Sequence, residues 1–278
     1  MLLKIIIAMV AFAGNSVLCR IALKGLHADA ISFSSIRLIS GAIALFFFLQ
    51  MASERTKPEF KWVNALFLSL YVFAFSIAYV SLSTGAGALL LFGTVQLVMT
   101  TWGLFKGEKL AVLKITGILG ALAGIAILLL PGAERPSLFA ATMMVTAGIA
   151  WALYSINGKK ITHAAAATTG NFILSVPLAL VIPLLFSADL HMDIQGLTLG
   201  VISGAITSGG AYLLWYSLLP LLKATTASTL QLSVPCLATL GGVMFLGETL
   251  TLRIVLSSII ILVGIGLVIL SDTRKSAG

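Results

Sequence analysis

Residues 105–130 read FKGEKLAVLKITGILGALAGIAILLL, and residues 245–270 read FLGETLTLRIVLSSIIILVGIGLVIL. At an offset of 140 residues, Phe105, Gly107, Glu108, Leu110, Leu122, Gly124, Ile125 and Leu130 meet Phe245, Gly247, Glu248, Leu250, Leu262, Gly264, Ile265 and Leu270. That is 8 identities in 26 positions. Leu-on-Leu matches are cheap in so apolar a chain. A Gly-Glu-x-Leu coincidence where one apolar run ends and the next begins is not. The chain reads as a duplication.

Composition says what is duplicated. Of 278 residues, 59% are hydrophobic and 9% charged, and 26 glycines come on top. A soluble globular chain is roughly 45–50% apolar with glycine included, and about 25% charged. A soluble domain of this size has too little core to hide that much apolar surface. A soluble enzyme, a disordered chain and a nucleic-acid module are thereby excluded. The reading is an all-α polytopic membrane protein embedded in a lipid bilayer.

A spanning helix needs about 20 mostly apolar residues. Charges, Pro and Gly divide the chain into ten such runs: 3–23, 31–51, 62–83, 85–105, 110–130, 138–157, 168–186, 196–218, 224–246 and 250–270. The weakest boundary is Ser83-Thr84-Gly85. The run after Lys4 continues to Leu23 and is followed at once by another, so it reads as a retained first span rather than a leader. The repeated stretches then fall on spans four–five and nine–ten, and the unit is five spans. Five is odd, so the second copy enters the bilayer from the opposite side. The expected architecture is two inverted five-helix repeats, residues 1–131 and 132–278, related by a pseudo-two-fold axis in the membrane plane. Alternating-access transporters use such a plan, with the substrate between the halves near the midplane.

The net charge of +8 orients the chain. With the N-terminus inside, Lys4, Arg55, Lys57, Lys61, Lys106, Lys109, Lys114, Lys159, Lys160, Lys223, Arg274 and Lys275 lie inside. Only Lys24, Arg135 and Arg253 lie outside. The asymmetry puts both termini in the cytoplasm, and Trp62 at a span start suits an interfacial anchor. Cys19 and Cys236 sit in separate apolar runs and read as packing residues. No metal and no cofactor are expected.

The 5+5 duplication, the early Gly14-Asn15, the small-residue starts of spans four and nine and the Gly-Glu steps after them resemble the drug/metabolite transporter superfamily, EamA type. The chain is most similar to amino-acid and metabolite exporters of the YddG kind. The resemblance implies a central cavity lined by spans 1, 3, 4, 6, 8 and 9, with spans 5 and 10 at the periphery. It also singles out Trp151, because an aromatic in span six recurs in the family. Many relatives begin span one with Trp-Gly where this chain has Gly14-Asn15.

Ionisable groups inside a bilayer are functional candidates by default. No Asp or Glu lies mid-span: Asp29, Glu54, Glu59, Glu134, Asp189, Asp193 and Asp272 are in connections or tails, with His27, His163 and His191. Neither a buried Asp pair nor a Ser-His pair is present, so intramembrane hydrolysis has no machinery and no enzyme is expected. A strongly cationic substrate would lack a carboxylate partner. Arg20 lies near the end of span one, where it can snorkel. Arg37 lies about two turns into span two, outside the expected lining, and can pair with a carbonyl or hold a substrate carboxylate. Glu108 and Glu248 read either as residues that begin the next helix and complement its dipole, after Gly107 and Gly247 as C′ caps, or as proton-coupling groups. Pro235 reads as a gate hinge or a tolerated bend. With Arg37, Glu108 and Glu248 it makes up the gating or coupling set.

The uncharged polar and aromatic candidates fall on helical faces. In span three these are Tyr71, Phe75 and Tyr79; in span six Trp151, Tyr154 and Ser155; in span eight Ser208, Tyr212, Trp215 and Tyr216. Asn15, Ser16, Gln96, Ser228 and Gln231 add hydrogen-bonding groups at membrane depth. Each is either interhelical glue, worth about 0.6–2 kcal/mol, or cavity lining. The substrate-binding set is Asn15, Ser16, Tyr79, Gln96, Trp151, Tyr154, Tyr212, Trp215, Ser228 and Gln231. Such a lining suits a small neutral or zwitterionic solute with an apolar part, amino acids foremost; nucleobases, drugs or cations are the alternatives, and a channel or scaffold a further one. Gly117, Gly120 and Gly124 form a close-packing face, read as internal ahead of a dimer seam, so the chain is expected as a monomer or weak homodimer.

Overall fold

A computed structural model of the chain describes residues 1–51, 56–108, 111–129, 137–185, 190–249 and 252–276. The span ends Leu110, Leu130, Phe186 and Leu250, the border between 131 and 132, and Glu54, Arg55, Lys109, Glu134, Arg135 and Asp189 lie outside the described residues.

The described chain is helical: α1 (Leu2–Lys24), α2 (Ala30–Met51), α3 (Trp62–Tyr79), α4 (Thr84–Phe105), α5 (Val112–Leu129), α6 (Leu138–Gly158), α7 (Ala164–Leu185), α8 (Ile194–Leu221), α9 (Ala224–Leu246) and α10 (Leu252–Ser276). Among the described residues, α1–α4 and α6–α9 are the eight helices long and apolar enough to cross a membrane. Shorter apolar helices, Val112–Gly124 and Val255–Ser271, lie in α5 and α10. The packing is inside-out relative to a soluble bundle. Phe47, Leu66, Leu184 and Val263 are exposed, whereas Arg37, Asn15, Gln96, Asn171 and Gln231 are buried. Only an apolar solvent favours that arrangement, and the chain is a multi-pass membrane protein.

Local chemistry sets the helix ends. α3 stops at Tyr79, short of the expected 83, because Ser83 instead caps α4 by accepting the Ala86 N–H. The freed carbonyls of Tyr79 and Val80 each accept Arg20 Nη1 at 2.9 Å, so Arg20 caps α3. Gly107 (φ +81) and Gly247 (φ +66) are left-handed after α4 and α9, the C′ positions expected of them.

Two helices are interrupted. α9 turns at Leu232 and resumes at Ser233, two residues before Pro235. Proline has no N–H to give the Gln231 carbonyl, which accounts for the break. α8 carries a π-helical stretch, Ser203–Gly210, in the sequence SGAITSGG. There α2 and α8 nearly touch: a Cβ at Gly204 would lie 2.0 Å from Ser40 Oγ and 2.3 Å from the Arg37 carbonyl oxygen. Gly117 and Gly124 of α5 pack on α10, with Gly117 and Gly264 each backed by the other's carbonyl oxygen, while a Cβ at Gly120 would meet nothing within 4 Å.

Contacts between connections sort into two sets. At the end where α1 starts, the Glu59 N–H donates to the Ala166 carbonyl and Lys159 Nζ to the Leu222 carbonyl. At the opposite end, residues 27–29 meet 191–193. His27 pairs with Asp193 at 2.8 Å, and Asp29 accepts the His191 N–H at 2.8 Å.

That loop tie has a pH signature. Burial raises the Asp29 carboxyl, but hydrogen bonds from Ser32, His191 and Ile31 outweigh it and hold the group below its ordinary value. The Gly196 N–H and then His27 hold Asp193 down as well. A carboxylate depressed in the fold stabilises it fully above the unfolded value, about 3.9, and ceases to as pH falls through the folded value. The tie should therefore persist at pH 5 and release only below about pH 4. Hydrogen exchange of the His191 amide, corrected for intrinsic rate, measures this; protection already lost at pH 5 would refute it.

Candidate functional site: an aromatic and polar cluster around Arg37

Arg37 is fully buried, two turns into α2. Among the described residues the ion pairs are His27–Asp193 and Lys61–Glu59, so no carboxylate neutralises it. Its partners are hydroxyls. Nε donates to Ser208 Oγ at 2.7 Å, and Nη2 to Tyr212 Oη at 2.5 Å and Tyr71 Oη at 3.2 Å. The two tyrosine oxygens are 3.2 Å apart. The guanidinium carbon lies 5.3 Å from the Tyr71 ring centre and 5.1 Å from that of Phe75. Nη1 is buried with no hydrogen-bond partner among the described residues.

Trp151 joins this network to the rest. Its ring centre is 4.7 Å from Tyr212, 5.0 Å from Tyr71, 5.4 Å from Phe12 and 5.6 Å from Tyr154. Its indole N–H donates to Gln231 Oε1 at 2.7 Å. Trp215 lies 5.9 Å from Phe12 and donates to Ser155 Oγ at 3.1 Å. Helices α1, α2, α3, α6, α8 and α9 all contribute. The cluster combines stacking faces with one buried positive charge, suited to hold a small solute with an apolar body.

The structure thus brings Arg37, Trp151, Tyr154, Tyr212, Trp215 and Gln231 together. Tyr79 adjoins the cluster, its ring 4.6 Å from that of Phe75, and the other candidates have separate surroundings. Asn15 Oδ1 accepts from Ser203 Oγ at 2.7 Å and Thr207 Oγ1 at 3.3 Å, joining α1 to the π-helical stretch of α8. Ser16 and Ser228 hydrogen-bond within their own helices, to the Phe12 and Thr225 carbonyls. Tyr79 donates to the Thr84 carbonyl. Gln96 bonds Thr100 and Thr229.

Span two was expected outside the lining, yet α2 supplies the charge. The close approach at Gly204 brings the α2 backbone against α8, and the long arginine stem covers the remaining distance. Phe12 was missed altogether. It precedes Asn15 and Ser16 by three and four residues and so shares their helix face.

Among the described residues, Glu108 and Glu248 accept hydrogen bonds at the starts of helices distant in sequence. Glu108 accepts the Ala224 N–H at 2.8 Å, the Thr225 N–H at 3.3 Å and the Thr225 hydroxyl at 2.8 Å, at the start of α9. Glu248 accepts the Thr84 N–H at 3.0 Å and its hydroxyl at 3.1 Å, at the start of α4. Position 84 advanced by 140 is 224, and 108 advanced by 140 is 248. Glu108, just after α4, therefore caps the start of α9, and Glu248, just after α9, caps the start of α4, one at each end of the bundle. Lys159 stands beside the first. Burial lowers its ammonium, and the Glu108 charge partly restores it. Among the described residues, no three His, Cys, Asp or Glu side chains group as metal ligands would.

Comparison with known proteins agrees with this architecture. A model of the EamA-like transporter family matches residues 138–270. A Pseudomonas aeruginosa protein, PA1977, is 44% identical over 277 residues, covering 99% of this chain and 96% of that one. An Archaeoglobus fulgidus protein described as an uncharacterized transporter is 23% identical over 95% of both chains. A solved crystal structure shares the fold at 17% identity, with a TM-score of 0.77 over 96% of this chain and 98% of that one. A multi-pass bundle with a polar, aromatic centre, matched in this way, is a membrane transporter of small solutes: residues 138–270 match the EamA-like transporter family, in support of the drug/metabolite transporter superfamily.

Proposed function

We propose that the protein is a secondary transporter that moves small neutral or zwitterionic metabolites, amino acids foremost, out across the bacterial inner membrane by alternating access. It acts as a YddG-like exporter. The observation that carries the reading is the Trp151 cluster, buried at membrane depth and built from residues on both sides of the expected 131/132 border.

Counting α5 and α10 as spans gives ten, in two inverted five-helix repeats, 1–131 and 132–278. The reciprocal glutamate caps at the 140-residue register support that plan, because an inverted pair exchanges equivalent contacts between opposite ends. Undoing one cap at a time would open one end at a time. The break before Pro235 gives α9 a place to bend. The basic residues put the α1-start end and both termini in the cytoplasm. One chain contains the whole cluster, in keeping with a monomer or weak homodimer. Of the remaining candidates, Asn15 joins α1 to α8, Gln96 joins α4 to α9 and Tyr79 joins α3 to the start of α4, while Ser16 and Ser228 bond within their own helices.

Counterflow in proteoliposomes tests this. Vesicles preloaded with unlabelled neutral amino acids, aromatic ones included, should take up the labelled species saturably. Trp151→Ala removes the central ring and its Gln231 bond and should lower exchange at least about tenfold, since such aromatic and hydrogen-bond contacts each contribute about 1 kcal/mol or more. Trp151→Phe keeps the ring and should fall between. Saturable exchange indifferent to both variants would move the site elsewhere. Absent exchange from folded protein would exclude amino acids.

A further inference from the structure

We propose that Arg37 binds a carboxylate group of the transported solute, so that the substrate is a small molecule with one carboxylate beside an apolar or aromatic body. The inference rests on the carrier reading above and names its substrate class. A guanidinium stays charged at any physiological pH and offers five N–H donors in a planar fork. Here it is fully buried in α2, and its described partners are uncharged: Ser208, Tyr71 and Tyr212 hydroxyls and the faces of Tyr71 and Phe75.

Hydroxyls satisfy donors but bring no negative charge. A buried cation without a counter-charge is costly, and such residues persist in membrane helices where function needs them. The fork is also unfinished, because Nη1 has no hydrogen-bond partner among the described residues. A carboxylate supplies both missing elements at once: one negative charge and acceptor oxygens for the fork. A dianion would call for a second cation. Arg20 and Lys159 instead bond carbonyls at helix ends, and neither shares a hydrogen-bond partner with Arg37. The rings of Trp151 and Tyr212 beside the fork suit an apolar or aromatic body, Trp151 lying 4.7 Å from Tyr212.

Matched acid and amide pairs test the assignment: 3-phenylpropionate with 3-phenylpropanamide, and L-phenylalanine with L-phenylalaninamide. The readout is thermal unfolding of the purified full chain across a concentration series. The acids should stabilise with midpoints about tenfold to a hundredfold tighter than their amides, the range expected for a charge-assisted hydrogen bond. Arg37→Gln should abolish that preference. Should Arg37→Gln not fold, Arg37→Lys keeps the charge without the fork and should lower the preference about tenfold. Amides equal to acids, a preference that survives Arg37→Gln, no stabilisation by either acid, or chloride or phosphate as effective as the acids would each overturn the proposal. Counterflow of the same pairs separates the two readings. Equal exchange of acid and amide keeps the carrier and removes this role for Arg37. Acid-selective stabilisation without exchange keeps the site and removes the carrier.

Discussion

Replacing Glu108 with Gln will open the bundle at the end where α1 starts, and replacing Glu248 with Gln will open the opposite end. Each carboxylate accepts backbone N–H and hydroxyl donors at the first turn of a helix distant in sequence, α9 for Glu108 and α4 for Glu248. An amide loses the charge and points its NH2 at donors. Charge-assisted hydrogen bonds and a helix N-terminus together make about 2–3 kcal/mol a fair cost for the change. That shifts an open–closed equilibrium roughly 30- to 150-fold. The reporters follow from the two capped helix starts. Ala88 and Ser228 lie one turn inside the two capped starts, 140 residues apart, and both are buried. In a background with Cys19 and Cys236 replaced, Ser228→Cys should gain labelling by a membrane-impermeant maleimide when Glu108→Gln is added, and Ala88→Cys when Glu248→Gln is added. Labelling that rises at the same reporter in both variants, or at neither, would dismiss the paired latch.

The second large effect is steric. Gly204→Ala should lower stability by about 1–3 kcal/mol, the usual cost of overpacking a close contact. The added Cβ would lie 2.0 Å from Ser40 Oγ, which can rotate away, and 2.3 Å from the Arg37 carbonyl, which is backbone and cannot. α2 must therefore move off α8, taking Arg37 from Ser208 and Tyr212. Gly93→Ala is the control. Nothing lies within 4 Å of its Cβ position, so the helix should gain up to about 1 kcal/mol. Melting temperatures in one detergent decide the matter. Equal shifts for the two variants would show that the α2–α8 contact is unimportant.

Much of the architecture was legible before any coordinates, because a bilayer leaves few options. Once a chain is this apolar, helices follow from the need to satisfy backbone groups internally. Their ends follow from charges, serines and glycines. Gly107 and Gly247 took the left-handed cap positions expected of them, and Trp151 sits in a buried aromatic cluster. The end of α3 was misjudged by four residues, because Ser83 was counted into the helix it precedes rather than as the cap of the next.

Long-range pairing was not legible, and there the site was decided. Asn15, read as substrate-binding, meets Ser203 and Thr207; Arg37, read as lying outside the lining, meets Ser208 and Tyr212. No periodicity within one helix says which face of another it will meet. In a membrane, apolar burial does not rank the choices either, since lipid and helix are equally apolar. Small-residue contacts and interhelical hydrogen bonds rank them, and these depend on residues far apart in the chain, such as Arg37 with Gly204 or Thr84 with Glu248, the latter pair 164 positions apart. The sequence alone thus determined the apolar solvent, the helical class and the chemical types available at the centre, because each is a local or compositional property. Only the tertiary structure decided that Glu108 caps α9 and Glu248 caps α4 and that a buried arginine stands at the heart of the aromatic cluster, because both depend on where separate helices cross.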